Sequence, residues 1–506
     1  MSRRVILVCA AVALVWGCVG DVGQDTATLG LAVPDSPLVT LRVMVGTGSV
    51  DDPVGKNGLN ALTALMIGRG GTNSLSYEEL TKILYPWAAS INVQHDKEVT
   101  TIIGEVHRDH LEPFYKIYRD LIVAPRFDFE DFQRNREFLS NGIVSTLRGN
   151  NDEELGKQAL NAFLYDGHPY EATEMGTERG LASISLEDVR DFHVQQYTRN
   201  NLRIGVAGGY PDGFLTQINN DLVGALPLAI DTSGSSELPE PRILDGLELI
   251  LVEKEAIATA ISIGFPIEIN RADDDFYALM IANSYLGEHR TFNGRLMIQM
   301  RGRRGLNYGD YSYIENFIQD GGTTFPLPNI PRRQQLFSIW IRPVPHHNAA
   351  FALRQAVFEL SQLVESGLNE QDFEATRDYL INYSKLYVQT TSRRLGYALD
   401  SVFYGTEFFI DEILTRLSRL TVDDVNAAIR RYLQAENLAV AIVTSDAEAL
   451  WNELSSGEPP SVSYNTEVGD QLLADDQAIK AHPLAFNPDR MRVVTVDEMF
   501  VDLEGP

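Results

Sequence analysis

Apolar residues in this chain follow two rhythms, alternation in short runs and a helical period of about 3.6 in longer ones. The run LVTLRVMVG (38–46) predicts a strand, and helical spacing follows near 54–67 and 76–86. A polar-alternating pair, SINVQH and VTTIIGEV, predicts two further strands. Helical spacing returns near 110–122, 128–147 and 152–164, and SLEDVRDFHVQQYTRNNLRIGVAG (185–208) closes the series. In that last segment a Ser precedes acidic residues, an amphipathic helix and a short apolar strand, which is how a capped helix start is written. A second series opens with ATAISIGFPI (258–267) and a helix near 273–286. It ends in TVDDVNAAIRRYLQAENLAVAIVTS (421–445), again hydroxyl, acids, helix and strand. The C-terminal HPLAFNPDRMRVVTVDEMFV is extended in character, suited to an added edge strand or a wrap around one half.

The two series echo each other. Phe132, Arg136 and Leu139 in FQRNREFL recur at the same spacing as Phe373, Arg377 and Leu380 in FEATRDYL. With the closing segments, that makes two echoes in the same order, which implies duplication. Between the series lies DTSGSSELPEP (231–241), a Ser/Gly/Pro-rich stretch without apolar period that reads as a linker. The organisation expected is an export signal (1–17), a flexible tether (18–35), a first domain (36–230), a linker (231–246), a second domain (247–464) and a tail (465–506). The fold class expected is α+β, two homologous α/β sandwich halves, each a mainly antiparallel sheet covered by helices.

The formal net charge of −28 sets the chain against phosphate backbones, so nucleic acid is not an expected partner. At the N-terminus Arg3 and Arg4 precede VILVCAAVALVW, an apolar run too short to span a bilayer as a stable helix. Gly17 then precedes Cys18, which resembles the bacterial lipoprotein cleavage box, although Trp16 is bulky for that box. The resemblance implies that Cys18 is lipidated and that the protein faces the periplasm from a bacterial cell-envelope membrane, inner or outer undetermined. Cys9 would leave with the signal, so no intramolecular disulfide can form in the mature chain.

Familiar catalytic signatures are missing. G-x-S-x-G, H-E-x-x-H and H-x-x-E-H do not occur, and the Gly-Lys pair of GSVDDPVGKN has the wrong spacing for a phosphate loop. The nine histidines form no ligand set: His107 and His110 straddle a strand end, His346 and His347 lie in a loop, and His95 with Glu98 falls in a strand turn. One stretch stands out, FNGRLMIQMRGRRGLNYGDYSYIE (292–315), which crowds Arg295, Arg301, Arg303 and Arg304 with Tyr308, Tyr311 and Tyr313. It suits an amphipathic helix with solvated arginines, a Gly turn and an aromatic strand. It equally suits a donor cluster for a peptide or carboxylate, because Arg offers a planar fork of donors and Tyr a hydroxyl.

GRLMIQMRGRRGLNY resembles the C-terminal half of the insulinase/pitrilysin family of zinc metallopeptidases, which includes the mitochondrial processing peptidases. GTNSLSYEEL, DGHPYE (166–171) and the duplicated halves extend the resemblance over roughly 36–465. It implies a clamshell half of the metallopeptidase type. It also implies substrate binding by Arg301 and Tyr308, seven residues apart as in that family's Arg/Tyr pair. The family's G-x-x-H-x-x-E-H-M falls on GLNALTALM (58–66). Gly58 and Met66 match, but the two His positions hold Ala61 and Leu65, the general base is Ala64, and the third ligand, a Glu on a later helix, is Gly142. Zinc hydrolysis by those residues is excluded, because none of them can donate a lone pair or take a proton from water. The resemblance therefore implies a non-catalytic, substrate-binding subunit. No cofactor is expected in this chain, and zinc is expected in a partner peptidase subunit carrying H-x-x-E-H, with peptides as substrates. The alternative is a lipid-anchored peptide-binding or scaffold protein without turnover, for which core subunits of the bc1 complex are the precedent.

Overall fold

The computed structural model describes residues 28–229, 238–319, 324–484 and 486–502. The export signal, Cys18 and residues 231–237 of the linker lie outside them. The first half builds a sheet from β1 (Thr28–Ala32), β2 (Leu38–Val45), β3 (Ser90–His95), β4 (Thr100–His107) and β5 (Leu202–Gly208), in the order β1-β5-β2-β4-β3. The second uses β6 (Glu248–Glu253), β7 (Thr259–Ile267), β8 (Asp310–Tyr313), β9 (Gln335–Val344), β10 (Ala439–Thr444) and β11 (Met491–Thr495), in the order β11-β6-β10-β7-β9-β8. Shifting β1–β5 by five gives β6–β10 in the same order. The directions agree as well: β1 with β5 and β6 with β10 are parallel, and the remaining corresponding pairs are antiparallel. The echo in the sequence is thus a duplicated α+β unit, and among the described residues β11 is the one strand without a counterpart.

The central strands of each sheet are buried on both faces, one face being covered by a helix of the other half. In β2, Val39, Leu41, Val43 and Val45 pack with Phe114, Tyr118 and Leu121 of the helix Leu111–Val123. Met44, pointing the other way, packs on Leu399 of the second half's helix Thr391–Tyr404. That helix lies so close that a Cβ on Gly205 of β5 would come within 2.7 Å of Leu395 Cδ1. The arrangement is reciprocal. Helix Asp152–Leu164 of the first half covers β7 and β10, and a Cβ on its Gly156 would meet Ser262 and Val443. Since each half lends a helix to the other's sheet, the main apolar core runs through both.

Three expectations need correction. In the tether 18–35, Thr28–Ala32 is strand β1, with Leu31 buried against Ala207 and Leu395; five residues including a Gly show too little alternation to announce a strand. The described part of the linker 231–246 is pinned, with Leu244 in the core and Arg242 paired to Glu248 at 2.7 Å. The helix expected over 128–147 ends as an α-helix at Asn141 and continues as π-helix over Gly142–Asn150. The tail adds β11 beside β6 and then crosses to the first half, where the Glu178 and Arg179 amides donate to the Phe500 and Val501 carbonyls at 3.0 and 2.9 Å.

Candidate functional site

Helix Leu59–Arg69 carries the positions where a metal motif would fall. Its N-cap is Gly58, at φ 104°, which has no side chain to close the helix end. Asp52 does so from outside, accepting from the Gly58 amide at 2.6 Å and the Asn60 amide at 2.7 Å. Burial pushes the Asp52 carboxyl up to about 7, against the pull of those two N–H groups. Ala61, Ala64 and Leu65 are all buried. Only Leu65 of the three reaches a surface groove of about 330 Å³, shared with Val93, Asn135 and Phe138. Gly142 opens the π-helical stretch, and a Cβ there would stand 2.8 Å from Met175 Sδ. A carboxylate at that position would have to displace Met175. Ala61 and Ala64 are packed into the core, Met175 fills the space beside Gly142, Leu65 borders the groove, and none of the four residues can hold zinc. Among the described residues no group of three or more His, Cys, Asp or Glu converges as a metal site.

The Arg/Tyr stretch of the second half separates cleanly. Arg295 pairs with Glu359 at 2.5 Å, Arg303 with Asp475 at 2.6 Å, and Arg304 with Asp476 at 2.9 Å, the last pair fully buried. Arg304 is buried structure, Arg295 is half-buried on Glu359, and Arg303 makes a surface pair. Arg301 has no carboxylate partner among the described residues; its guanidinium lies 5.5 Å from the centre of the Phe292 ring and 4.0 Å from Met297 Sδ. Of the tyrosines, Tyr311 and Tyr313 are buried with Phe317 and Trp340, whereas Tyr308 is 78% exposed. The π-turn Met297–Gly302 ends with the Gly305 amide donating to the Arg301 carbonyl at 2.9 Å. Gly305, at φ 62°, then reverses the chain so that Tyr308 emerges just before β8. From seven candidate donors, one Arg and one Tyr are left uncommitted.

A polar cluster that sequence reading missed joins the halves. The turn between β3 and β4, HDKEV, plugs into the second half. Arg332 Nε donates to Asp96 Oδ2 at 2.8 Å, and Arg332 Nη2 donates to Asp96 Oδ1 at 2.5 Å and Glu174 Oε1 at 2.9 Å. Lys97 pairs with Glu174 at 3.3 Å, and the Arg333 amide donates to Glu98 at 2.6 Å. Burial works to raise the Glu174 carboxyl, but Lys97 and Arg332 outweigh it and hold it at about 2.

Comparison with known proteins agrees with this geometry. Residues 31–178 match the family described as Insulinase (Peptidase family M16), and residues 183–380 match Peptidase M16 inactive domain. The chain belongs to peptidase family M16. It is similar to the uncharacterized zinc protease YmxG of Bacillus subtilis, at 22% identity over 80% of this chain and 93% of that protein. It is also similar to the non-peptidase homolog YmxG of Helicobacter pylori, at 22% over 79% and 87%. A peptidase M16 inactive domain from Pseudomonas fluorescens superposes with a TM-score of 0.71 at 20% identity, covering 82% of this chain and 95% of that one. With no donor at any of the four motif positions, the chain is an inactive M16-like protein.

Proposed function

We propose that this chain is the non-catalytic, substrate-binding subunit of a two-chain zinc metallopeptidase. One observation carries the reading: the metal positions hold no donor, while Arg301 has no carboxylate partner among the described residues and Tyr308 stands exposed near it in the sequence. Arg301 would hold a carbonyl or carboxylate of a bound peptide with its forked donors. Tyr308 would donate its hydroxyl to the oxyanion that develops at the scissile carbonyl, and zinc in the partner would supply the activation of water. The partner supplies H-x-x-E-H and the zinc, and neither chain holds a whole site. A lipid on Cys18 would tether the pair to a bacterial envelope membrane, facing the periplasm.

The test is kinetic, in the mixture of this chain with an exported M16 peptidase that carries H-x-x-E-H. Tyr308→Phe is expected to lower kcat by about 100-fold, the usual cost of an oxyanion donor. Arg301→Ala is expected to lower kcat/KM, with co-elution of the two chains unchanged for both variants. Unaltered turnover in both would end the role assigned to them.

A further inference from the structure

The groove that Leu65 borders has neither Arg301 nor Tyr308 in its lining. It is bounded by the C-terminal turn of helix Leu59–Arg69, by helix Phe129–Asn141 and by Ile91, Asn92 and Val93 of β3, and it encloses about 330 Å³. β3 pairs only with β4 among the described strands, so this wall of the groove is a sheet edge. The chain has 70 acidic against 42 basic residues, yet the charged side chains lining the groove are two arginines, Arg69 and Arg134, with no carboxylate beside them in the wall.

Both guanidiniums are held on aromatic rings. Arg69 lies 4.4 Å from the centre of the Phe138 ring and Arg134 lies 5.4 Å from that of Tyr77. Arg134 is half committed: it pairs with Asp131 at 2.6 Å and donates to the Arg69 carbonyl at 2.7 Å, capping the end of that helix. Arg69 has no carboxylate partner among the described residues. It gains from the negative end of its own helix, but its N–H donors stay unspent. Phe138 is 51% exposed, with the Arg69 guanidinium over its ring. A planar cation stacked on one face presents its donor edge in a fixed direction, which matches the two oxygens of a carboxylate.

We infer that this groove is a second binding site, distinct from Arg301 and Tyr308, and that it takes a carboxylate of an extended peptide on Arg69, with Arg134 adding field. The carboxylate can come from an acidic side chain or from a peptide C-terminus, since Arg69 recognises the shared group.

The test uses the full chain and three fluorescein-labelled heptapeptides of Gly, Ser and Val: one with a central Glu and an amidated C-terminus, one with Gln in its place, and one with Gln and a free C-terminus. Fluorescence anisotropy at low salt is expected to show the Glu peptide or the free C-terminus bound at least tenfold more tightly than the amidated Gln peptide, and which of the two binds identifies the source. Arg69→Gln should abolish that preference, and Arg69→Lys, which keeps the charge but loses the fork and stack, should reduce it at least threefold. Arg303→Gln, which removes a surface arginine paired to Asp475 and outside both sites, should leave it intact. Equal binding of all three peptides, or a preference that survives Arg69→Gln, overturns the inference. A preference lost in Arg301→Ala and kept in Arg69→Gln transfers the anion site to the Arg/Tyr pair and likewise overturns it.

Discussion

Replacing Arg332 with Gln tests whether the two halves are held as one body by the buried ion cluster between them. The side chain is 8% exposed and its main partner Asp96 is fully buried. Three charge-assisted hydrogen bonds disappear together: two to Asp96, at 2.8 and 2.5 Å, and one to Glu174 at 2.9 Å. Glutamine can restore at most one of them. What dominates is the Asp96 carboxylate left in the interior with no guanidinium, and removing one partner of a buried pair costs about 3–5 kcal/mol. Urea unfolding followed by tryptophan fluorescence gives the total. Amide exchange at β3 and β9 shows whether the loss falls at the seam. The double variant Asp96→Asn/Arg332→Gln leaves no bare charge, so its cost should fall short of the sum of the singles by about 2 kcal/mol or more. The pH dependence has a definite sign. Glu174 is held below its ordinary range, so its contribution is present above about pH 4.5 and is lost as pH falls toward 2. The penalty of Arg332→Gln should therefore be largest near neutrality and shrink in acid. A variant within 1 kcal/mol of wild type at pH 7, with unchanged exchange at β3, would refute the assignment of the seam to this cluster.

Other consequences follow from the packing. Gly205→Val drives a branched side chain into Leu395 and Leu399 of the lent helix; it should destabilise by about 1–3 kcal/mol in thermal unfolding, and Gly205→Ala should cost less. Asp52→Asn removes a carboxyl whose folded-state value is raised to about 7. Wild type therefore loses stability relative to the variant as pH climbs from about 4 to 7, visible in parallel denaturation series. Installing Ala61→His, Ala64→Glu, Leu65→His and Gly142→Glu together should yield weaker zinc binding by calorimetry than the same set with Met175→Ala, because Met175 fills the space needed by a side chain at 142.

Local signals carried much of the fold. The Ser185 and Thr421 capping boxes form as their spacing indicates, each hydroxyl accepting from an amide three residues on. The repeated helix-and-strand segments occupy equivalent places in equivalent sheets. The exchange of helices was not legible, because Leu160 and Leu395 are apolar periodic residues whatever sheet they meet. The same limit applies to the charged side chains. Arg304 and Arg301 are indistinguishable along the chain, and what separates them is Asp476, 172 residues away. Asp96 and Arg332 are 236 residues apart, and nothing local in HDKEV announces a plug. Residue chemistry could tell that Ala61, Ala64, Leu65 and Gly142 hold no metal, whereas closure of the space by Met175 needed the structure.

The division of labour between two chains stands or falls on reconstitution. An exported M16 peptidase with H-x-x-E-H, loaded with zinc, should be titrated with this chain while cleavage of an unstructured peptide is followed. The account predicts little turnover by either chain alone and a rise that saturates at one-to-one stoichiometry. Full activity of the partner alone, unaffected by any amount of this chain, would contradict it.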